Sequence, residues 1–395
     1  MTSAQPVPIT GLGCLCAAGP NLSACMQNLF GGMRVPRPPS RFSTTHPVRF
    51  PVFEIMDDLP LPGAGLSRTC RLALAAAHEA VLDAGLPPDL LRGQRVGVCI
   101  GTTVGCTFNN EEFYRDFRSG GSPAPELVRR FLQSNPASAI AREFDLNGPC
   151  QTLVNACSSG TDAIGIAADW IRSGICDIAI AGGADELSRV TYNGFISLLI
   201  TDSAPCRPFD RDRKGLNLGE GAAMLVLESA RSASGGNRPP RATVLGYGLA
   251  CDAHHLTAPH PDGAGLKRAM HDALAQSGID VGNIAFVNAH GTGTPDNDRV
   301  ESGVLAEMLP GVPFLSTKGY TGHTLGAAGA IEAAFTVACL TAGRIPASAG
   351  FVTQDPALPV SPVRTVTAVR TRAAMSQSLA FGGNNGVLVI GGSPA

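Results

Sequence analysis

The chain has 395 residues, of which 44% are hydrophobic and 16% charged, and a formal net charge of −2. That near-neutral balance, without a long charge run or low-complexity tail, argues against a general nucleic-acid binder. Few aromatics (5%) beside 47 glycines suit a globular enzyme with helices packed tightly on sheets.

Strand and helix patterns alternate along the chain. Residues 7–15 read as a strand, and residues 67–84 as a helix with apolar positions at helical spacing and Ser67 as its N-cap. Residues 95–101 form the next strand, with Val104 and Cys106 just beyond it. A strand-like run, Gln151-Thr152-Leu153-Val154, leads into Cys157, and an Ala/Ile-rich helical pattern follows to about Ile171. Cys157 is therefore expected on a tight strand-to-helix turn at the positive end of a helix. The helix dipole and free backbone N–H groups there favour thiolate over thiol. Such a thiolate has the layout of an acyl-accepting nucleophile; the competing reading is a buried core cysteine, as at Cys339. Residues 177–184 and 222–228 read as apolar strands, the first of them offering an edge to a partner's sheet. The Ser/Gly/Pro-rich stretch 231–240 is the best linker, dividing the chain into 1–235 and 236–395.

A second alternating series follows. Residues 242–248 read as strand, 263–277 as helix and 284–289 as strand; 296–308 read as helix, 313–316 as strand, 326–342 as helix and 387–390 as a closing strand. His290 stands where the apolar run Ile284-Ala285-Phe286-Val287 gives way to Gly291-Thr292-Gly293-Thr294. Lys318 and His323 lie in a loop after Val312-Pro313-Phe314-Leu315 and before an Ala/Gly-rich helix. Two histidines, a lysine and a cysteine at strand ends point to a site, because catalytic groups collect at the carboxyl ends of strands in α/β folds. The letters of the two halves show no repeat.

The twelve cysteines are irregularly spaced. The N-terminus lacks a basic region followed by a long apolar stretch, and no run is expected to reach the length of a membrane span. Free thiols and a cytoplasmic setting are expected. Cys14 and Cys16 lie two apart in an apolar strand without a partner pair at zinc spacing, and His254, His255 and His260 lack a coherent ligand set, so no metal is expected.

Taken in order, the motifs resemble one family. They begin with Ile9-Thr10-Gly11-Leu12-Gly13 and Ala156-Cys157-Ser158-Ser159-Gly160-Thr161, followed by Gly182-Gly183-Ala184-Asp185-Glu186. Next come Cys206-Arg207-Pro208-Phe209-Asp210, Gly219-Glu220-Gly221-Ala222 and the two histidine motifs, and the series closes with Ala380-Phe381-Gly382-Gly383-Asn384-Asn385-Gly386. Over nearly the whole chain this is similar to the β-ketoacyl-acyl-carrier-protein synthases of the thiolase-like superfamily, especially the elongating class that includes type II polyketide ketosynthase subunits.

The resemblance implies a five-layer α-β-α-β-α fold of two similar halves, with Cys157 from the first and both histidines from the second. It implies an acyltransferase that condenses a Cys157-bound acyl chain with malonyl-acyl-carrier protein, with loss of CO2, in fatty-acid or in polyketide or polyene biosynthesis. It assigns enolate stabilisation to His290 and His323, electrostatic ordering to Lys318 with Glu332, and an oxyanion N–H and a gating ring to Phe381. Thr292 and Thr294 would bind phosphopantetheine, Val104 and Cys106 would line the acyl pocket, and Arg68, Arg71 and Arg207 would dock the carrier, with Arg211 and Lys214 as further cations. Ala380 and Asn384 stand where glycine and threonine are common, which bears on the gate's mobility. No resident cofactor is implied, since phosphopantetheine arrives on the acyl carrier protein. The expected assembly is a homodimer, or a heterodimer with a non-catalytic chain-length-factor-like subunit, without nucleic acid or membrane. A thiolase would carry a second catalytic cysteine near the C-terminus, and no cysteine follows Cys339. A chain-length factor lacks the nucleophile, and a nucleotide-binding reading of Gly11-Leu12-Gly13 lacks the full glycine fingerprint.

Overall fold

The computed structural model describes residues 4–55, 59–105, 111–235, 239–369 and 373–392. The first half runs β1 (Val7–Cys16), α1 (Leu22–Phe30), α2 (Arg68–Asp83), α3 (Pro88–Gly93), β2 (Val96–Gly101), α4 (Glu111–Arg118), α5 (Pro125–Gln133), α6 (Pro136–Glu143), β3 (Cys150–Leu153), α7 (Ser159–Arg172), β4 (Ile178–Asp185), α8 (Arg189–Ser197) and β5 (Gly221–Glu228). After α9 (Ala230–Gly235), the second half runs β6 (Ala242–Cys251), α10 (Ala264–Ser277), β7 (Ile284–Asn288), α11 (Pro295–Met308), β8 (Phe314–Leu315), α12 (Lys318–Thr321), α13 (Ala328–Ala342), β9 (Arg344–Ile345), β10 (Thr367–Ala368), β11 (Ala373–Ala380) and β12 (Asn384–Gly392).

Ten strands join in the order β3-β2-β4-β5-β1-β6-β12-β11-β7-β8. Read outward from the central β1/β6 pair, the arms are β1-β5-β4-β2-β3 and β6-β12-β11-β7-β8. Strand directions match step by step: antiparallel for the two inner pairs of each arm and parallel for the two outer pairs. One topology is thus used twice, a repeat invisible in the letters because backbone pairing constrains pattern more than identity.

α2 covers β1 and β5 on one outer side, and α10 covers β6 and β12 on the other. Between the arms lie α7 and α13, packed on each other and buried over most of their residues. This gives the expected five layers, and it explains why β4 and β5 are buried along their whole length: both faces are covered. Apart from Glu332, α13 is largely apolar all round because it meets protein on every side. Contrary to the sequence expectation, the stretch Leu325–Ala342 is long and apolar enough to span a membrane, with mean hydropathy 1.6, but 83% of it is buried in this middle layer. Small residues make the α7/α13 contact possible. A Cβ on Gly160 would lie 2.8 Å from both Ala330 N and Gly326 O.

Ser67 caps α2 as expected, accepting from Cys70 N. Two expectations need correction. The 177–184 strand is β4, an interior strand between β2 and β5; the sheet edge in this half is β3, where Cys150 and Gln151 are exposed. The first half of the expected linker is α9, and residues 236–238 lie outside the described segments. β11 escaped notice because Ala373-Ala374-Met375-Ser376-Gln377-Ser378 carries almost no β-branched or aromatic signal.

Candidate active site

Cys157 sits between β3 and the first turn of α7, and the chain reaches it through Ala156 at φ +49°. That strained, left-handed residue makes the turn sharp enough to aim the sulfur inward. The start of α7 ties the turn down. Ser159 Oγ accepts from Asn155 N at 2.8 Å and donates to Ala156 O at 2.7 Å. One carboxylate oxygen of Asp162 accepts from Asn155 Nδ2 at 2.6 Å and Ser158 Oγ at 2.8 Å, while the other accepts from Tyr247 OH at 2.9 Å.

His290 follows β7. Glu301 of α11 fixes this corner by accepting from the backbone N–H of His290 at 2.6 Å and of Gly291 at 2.7 Å. His323 follows α12, and its backbone links to the segment after α8: its N–H donates to Asn217 O at 2.8 Å. The imidazole rings meet edge to face at 5.2 Å, and the Cys157 sulfur and a nitrogen of each ring lie within 4.8 Å of one another. A sulfur and two imidazoles so placed also form a donor set that a metal ion could occupy. All three side chains are almost wholly buried.

The tautomers follow from the partners. Lys318 Nζ stands 3.0 Å from His290 Nδ1, and Leu325 N–H donates to His323 Nδ1 at 3.1 Å. Each ring therefore keeps its proton on Nε2, as a donor. Burial, reinforced by the Lys318 charge, holds both imidazoles well below their ordinary range, so both are neutral. Lys318 also pairs with Glu332, whose carboxyl burial raises to about 7 against the pull of the lysine. At 1% and 2% exposure, neither is the solvated loop lysine or helix-surface carboxylate that the sequence alone allowed.

The thiolate expectation is corrected. Burial pushes the Cys157 thiol up to about 11, and the opposing pull of Lys318 and of the Phe381 backbone N–H is smaller. The resting sulfur is a thiol, because desolvation of an anion outweighs a helix terminus. Phe381 N–H faces that sulfur from a turn made by Gly382 and Gly383, at φ +83° and +81°. The Phe381 ring stacks on Phe195 with centroids 5.6 Å apart and planes 13° apart. Asn384, at the unusual position, donates to Phe381 O at 3.3 Å and so ties the gate residue to its own turn.

A cavity of about 330 Å³ opens onto Cys157, His290, His323 and Phe381. Thr292 and Thr294 line it, and their hydroxyls also bond each other at 2.8 Å. Val104 lies outside this lining and packs against the apolar cluster that contains Tyr192, Ile196 and Leu325. Cys106 lies outside the described residues. The cation set changes most. Arg68 is locked to buried Glu220 at 2.8 Å, and Arg71 donates to Leu61 O and Pro62 O, so both hold structure. Arg211 pairs with its neighbour Asp212. Arg207 is half-buried beside Asp210, whereas Lys214 is exposed and lines the cavity. His254 and His260 pack ring to ring at 4.9 Å, and His255 Nδ1 accepts from Thr257 N and Ala258 N.

Sequence reasoning missed Phe195, Asp162 and Glu301. Asp162 had a signal, five residues after the nucleophile on the first turn of its helix. Phe195 and Glu301 had none, since only folding brings α8 and α11 to the site.

A buried thiol beside two Nε2–H donors, at the junction of two α/β arms, defines a cysteine-dependent acyl-transfer enzyme. Residues 64–233 match the family described as beta-ketoacyl synthase, N-terminal domain, and residues 241–352 its C-terminal domain. The chain is 32% identical to 3-oxoacyl-[acyl-carrier-protein] synthase 2 of Synechocystis, covering 97% of each chain. It is also 32% identical to the tetracenomycin polyketide synthase ketoacyl synthase alpha subunit of Streptomyces glaucescens, covering 97% of this chain and 96% of that one. The solved ishigamide ketosynthase/chain length factor superposes with a TM-score of 0.94 at 34% identity, covering 99% and 100% of the two chains. The chain belongs to the β-ketoacyl synthase family.

Proposed function

We propose that this chain is a β-ketoacyl-acyl-carrier-protein synthase that extends a Cys157-bound acyl group by decarboxylative condensation with malonyl-acyl-carrier protein. One observation carries the reading: the Cys157 sulfur shares a buried pocket with two neutral imidazoles, each fixed as an Nε2–H donor. In the first half-reaction the Cys157 sulfur attacks the acyl thioester carbonyl, and its proton passes to the departing phosphopantetheine sulfur. The N–H groups of Cys157 and Phe381 hold the oxyanion, and the carrier's phosphopantetheine thiol departs. In the second, the carbon–carboxyl bond of malonyl thioester breaks and CO2 leaves. The electron pair passes to the thioester oxygen, which His290 and His323 stabilise by donating to it. The enolate carbon then attacks the acyl-cysteine, and the Cys157 sulfur leaves as thiolate and takes up a proton from solvent to regenerate the thiol. Lys318 and Glu332 keep the imidazoles in place, and Thr292 and Thr294 bind the pantetheine arm in the cavity mouth.

The protein supplies no cofactor of its own; phosphopantetheine comes with the carrier. Arg207 and exposed Lys214 would meet the acidic carrier at the mouth. The chain would work as a dimer through the β3 edge. Support comes from exposed Val154, directly after β3, and from exposed Tyr114, Phe117 and Leu132 on α4 and α5, which precede it. Likeness to a ketosynthase/chain length factor structure favours a chain-length-factor-like partner, and with it a polyketide or polyene pathway. Light scattering on the purified chain tests this; an active monomer at micromolar concentration would refute the dimer. The described cysteines are all free thiols, which supports a cytoplasmic location.

The function is tested by measuring self-acylation and CO2 release in parallel. Cys157→Ala should abolish acyl-enzyme formation. Replacing His290 or His323 by Ala should cost decarboxylation on the order of 100-fold or more, the scale of a lost oxyanion donor, while leaving self-acylation largely intact. Equal loss of both activities would make the histidines structural.

A further inference from the structure

A second cysteine cluster lies away from the active site. Cys14 and Cys16 point to the same side of β1, two residues apart, and α1 lays Cys25 against them. The intervening turn is closed by the reciprocal Cys16–Gly19 backbone pair, so one stretch of chain supplies all three sulfurs. Cys16 Sγ and Cys25 Sγ are 3.7 Å apart, and the three sulfurs lie within 4.8 Å of one another at 0–2% exposure. Three sulfurs bound pyramidally to one centre at a bond length of about 2.3 Å stand about 3.4 Å apart, so closing the set needs up to about 1.5 Å of movement. We propose that Cys14, Cys16 and Cys25 form a binding site for a trivalent thiophilic centre, trivalent arsenic presented as arsenous acid.

Charge and stoichiometry select that class. Both carboxylate oxygens of the nearby Glu79 are taken, by Cys14 N–H at 2.8 Å and Leu22 N–H at 2.9 Å, and the cluster contains no further imidazole or carboxylate ligand among the described residues. Zinc would lack its fourth ligand. Three thiolates around a monovalent or divalent ion would leave net negative charge buried in the apolar core, which is costly. Three thiolates on trivalent arsenic are neutral. Three arsenic–oxygen bonds break and three arsenic–sulfur bonds form; the thiol protons leave with the hydroxyls as three waters, and no electron is transferred. A cavity of about 610 Å³ lies between α1, α2 and α13, lined by Leu22, Met26, Glu79 and Ala338, and reaches the Glu79 carboxylate that holds the Cys14 N–H.

The test is native intact-mass analysis of the full chain with arsenite under reducing conditions. One adduct is expected, heavier by one arsenic less three hydrogens, with a raised Tm because the ligand binds the folded state. It should survive Cys157→Ser and be lost in Cys25→Ser. If Cys25→Ser fails to fold, Cys14→Val should fold and also lose the adduct. No adduct in the native chain, an adduct formed only after denaturation, or one retained in the folded Cys25 or Cys14 variant would each show that these thiols are core packing alone.

Discussion

Lys318 carries three tasks at once. Its charge lies against His290, pairs with Glu332, and is the largest influence opposing burial on Cys157. Replacing it by methionine keeps the stem's volume and removes the charge. Cys157 should then titrate above its present value of about 11, while both imidazoles move back toward their ordinary range. Iodoacetamide labelling of Cys157 in the wild type should still be accelerating at about pH 9, because thiolate remains the minor form there. In Lys318→Met the rate should be several-fold lower at each pH, and condensation should fall with it. A wild-type profile that levels off near about pH 8.5, the range of an unperturbed thiol, would show that the sulfur is not desolvated as described.

At the scale of elements, the site depends on how closely α7 and α13 approach. Gly160 stands at their contact, three residues after the nucleophile. Gly160→Ala places a methyl against backbone atoms that have nowhere to move, so a loss of about 1–3 kcal/mol in stability is expected. Activity should fall further than stability, because the same turn of helix holds Cys157 and a displacement on the order of 1 Å costs about 100-fold. Gly194 in α8 is the contrast, since a Cβ there meets nothing within 4 Å. Gly194→Ala should gain about 0.5–1 kcal/mol by stiffening the helix, with activity unchanged. Denaturant midpoints and condensation rates for the two variants decide the matter. Equal, small effects would mean that the middle layer is more yielding than its packing indicates.

At the scale of the whole molecule, the buried site makes stability depend on pH in two opposing ways. Glu332 titrates near 7 when folded and near 4.3 when unfolded, so its stabilisation is present at low pH and lost as pH rises through about 7. His290 and His323 titrate well below 6.5 when folded. Below about pH 6.5 the unfolded chain takes up protons that the folded site refuses, so their stabilisation is lost as pH falls. Between about pH 4.5 and 6.5 the two contributions offset each other. Glu332→Gln should therefore lose Tm more steeply than wild type on acidification from pH 7.5 to 5.5, and His323→Asn less steeply. The reverse order in thermal scans would overturn the assignment of these shifts.

The chain's alternating periodicity was enough to place most strands and helices, because burying one face of each element forces a repeating apolar pattern. The turn at Cys157, the corner at His290 and the Phe-Gly-Gly turn were legible as motifs, since each needs particular small residues locally. The approach of those motifs was not a local property. Asp185 joins the halves by accepting from Thr103 N and Gly326 N, and Glu301 steadies His290 from α11; neither interaction leaves a mark in sequence spacing. Tertiary structure also reversed three readings. Desolvation, which acts only once the core closes, turned the expected thiolate into a thiol. Sheet order put the 177–184 strand inside and left β3 at the edge. Buried Glu220 drew Arg68 away from the surface. Sequence determined which groups exist and how each short segment bends; burial and proximity, which belong to the folded whole, decided their charge, their partners and their access to solvent.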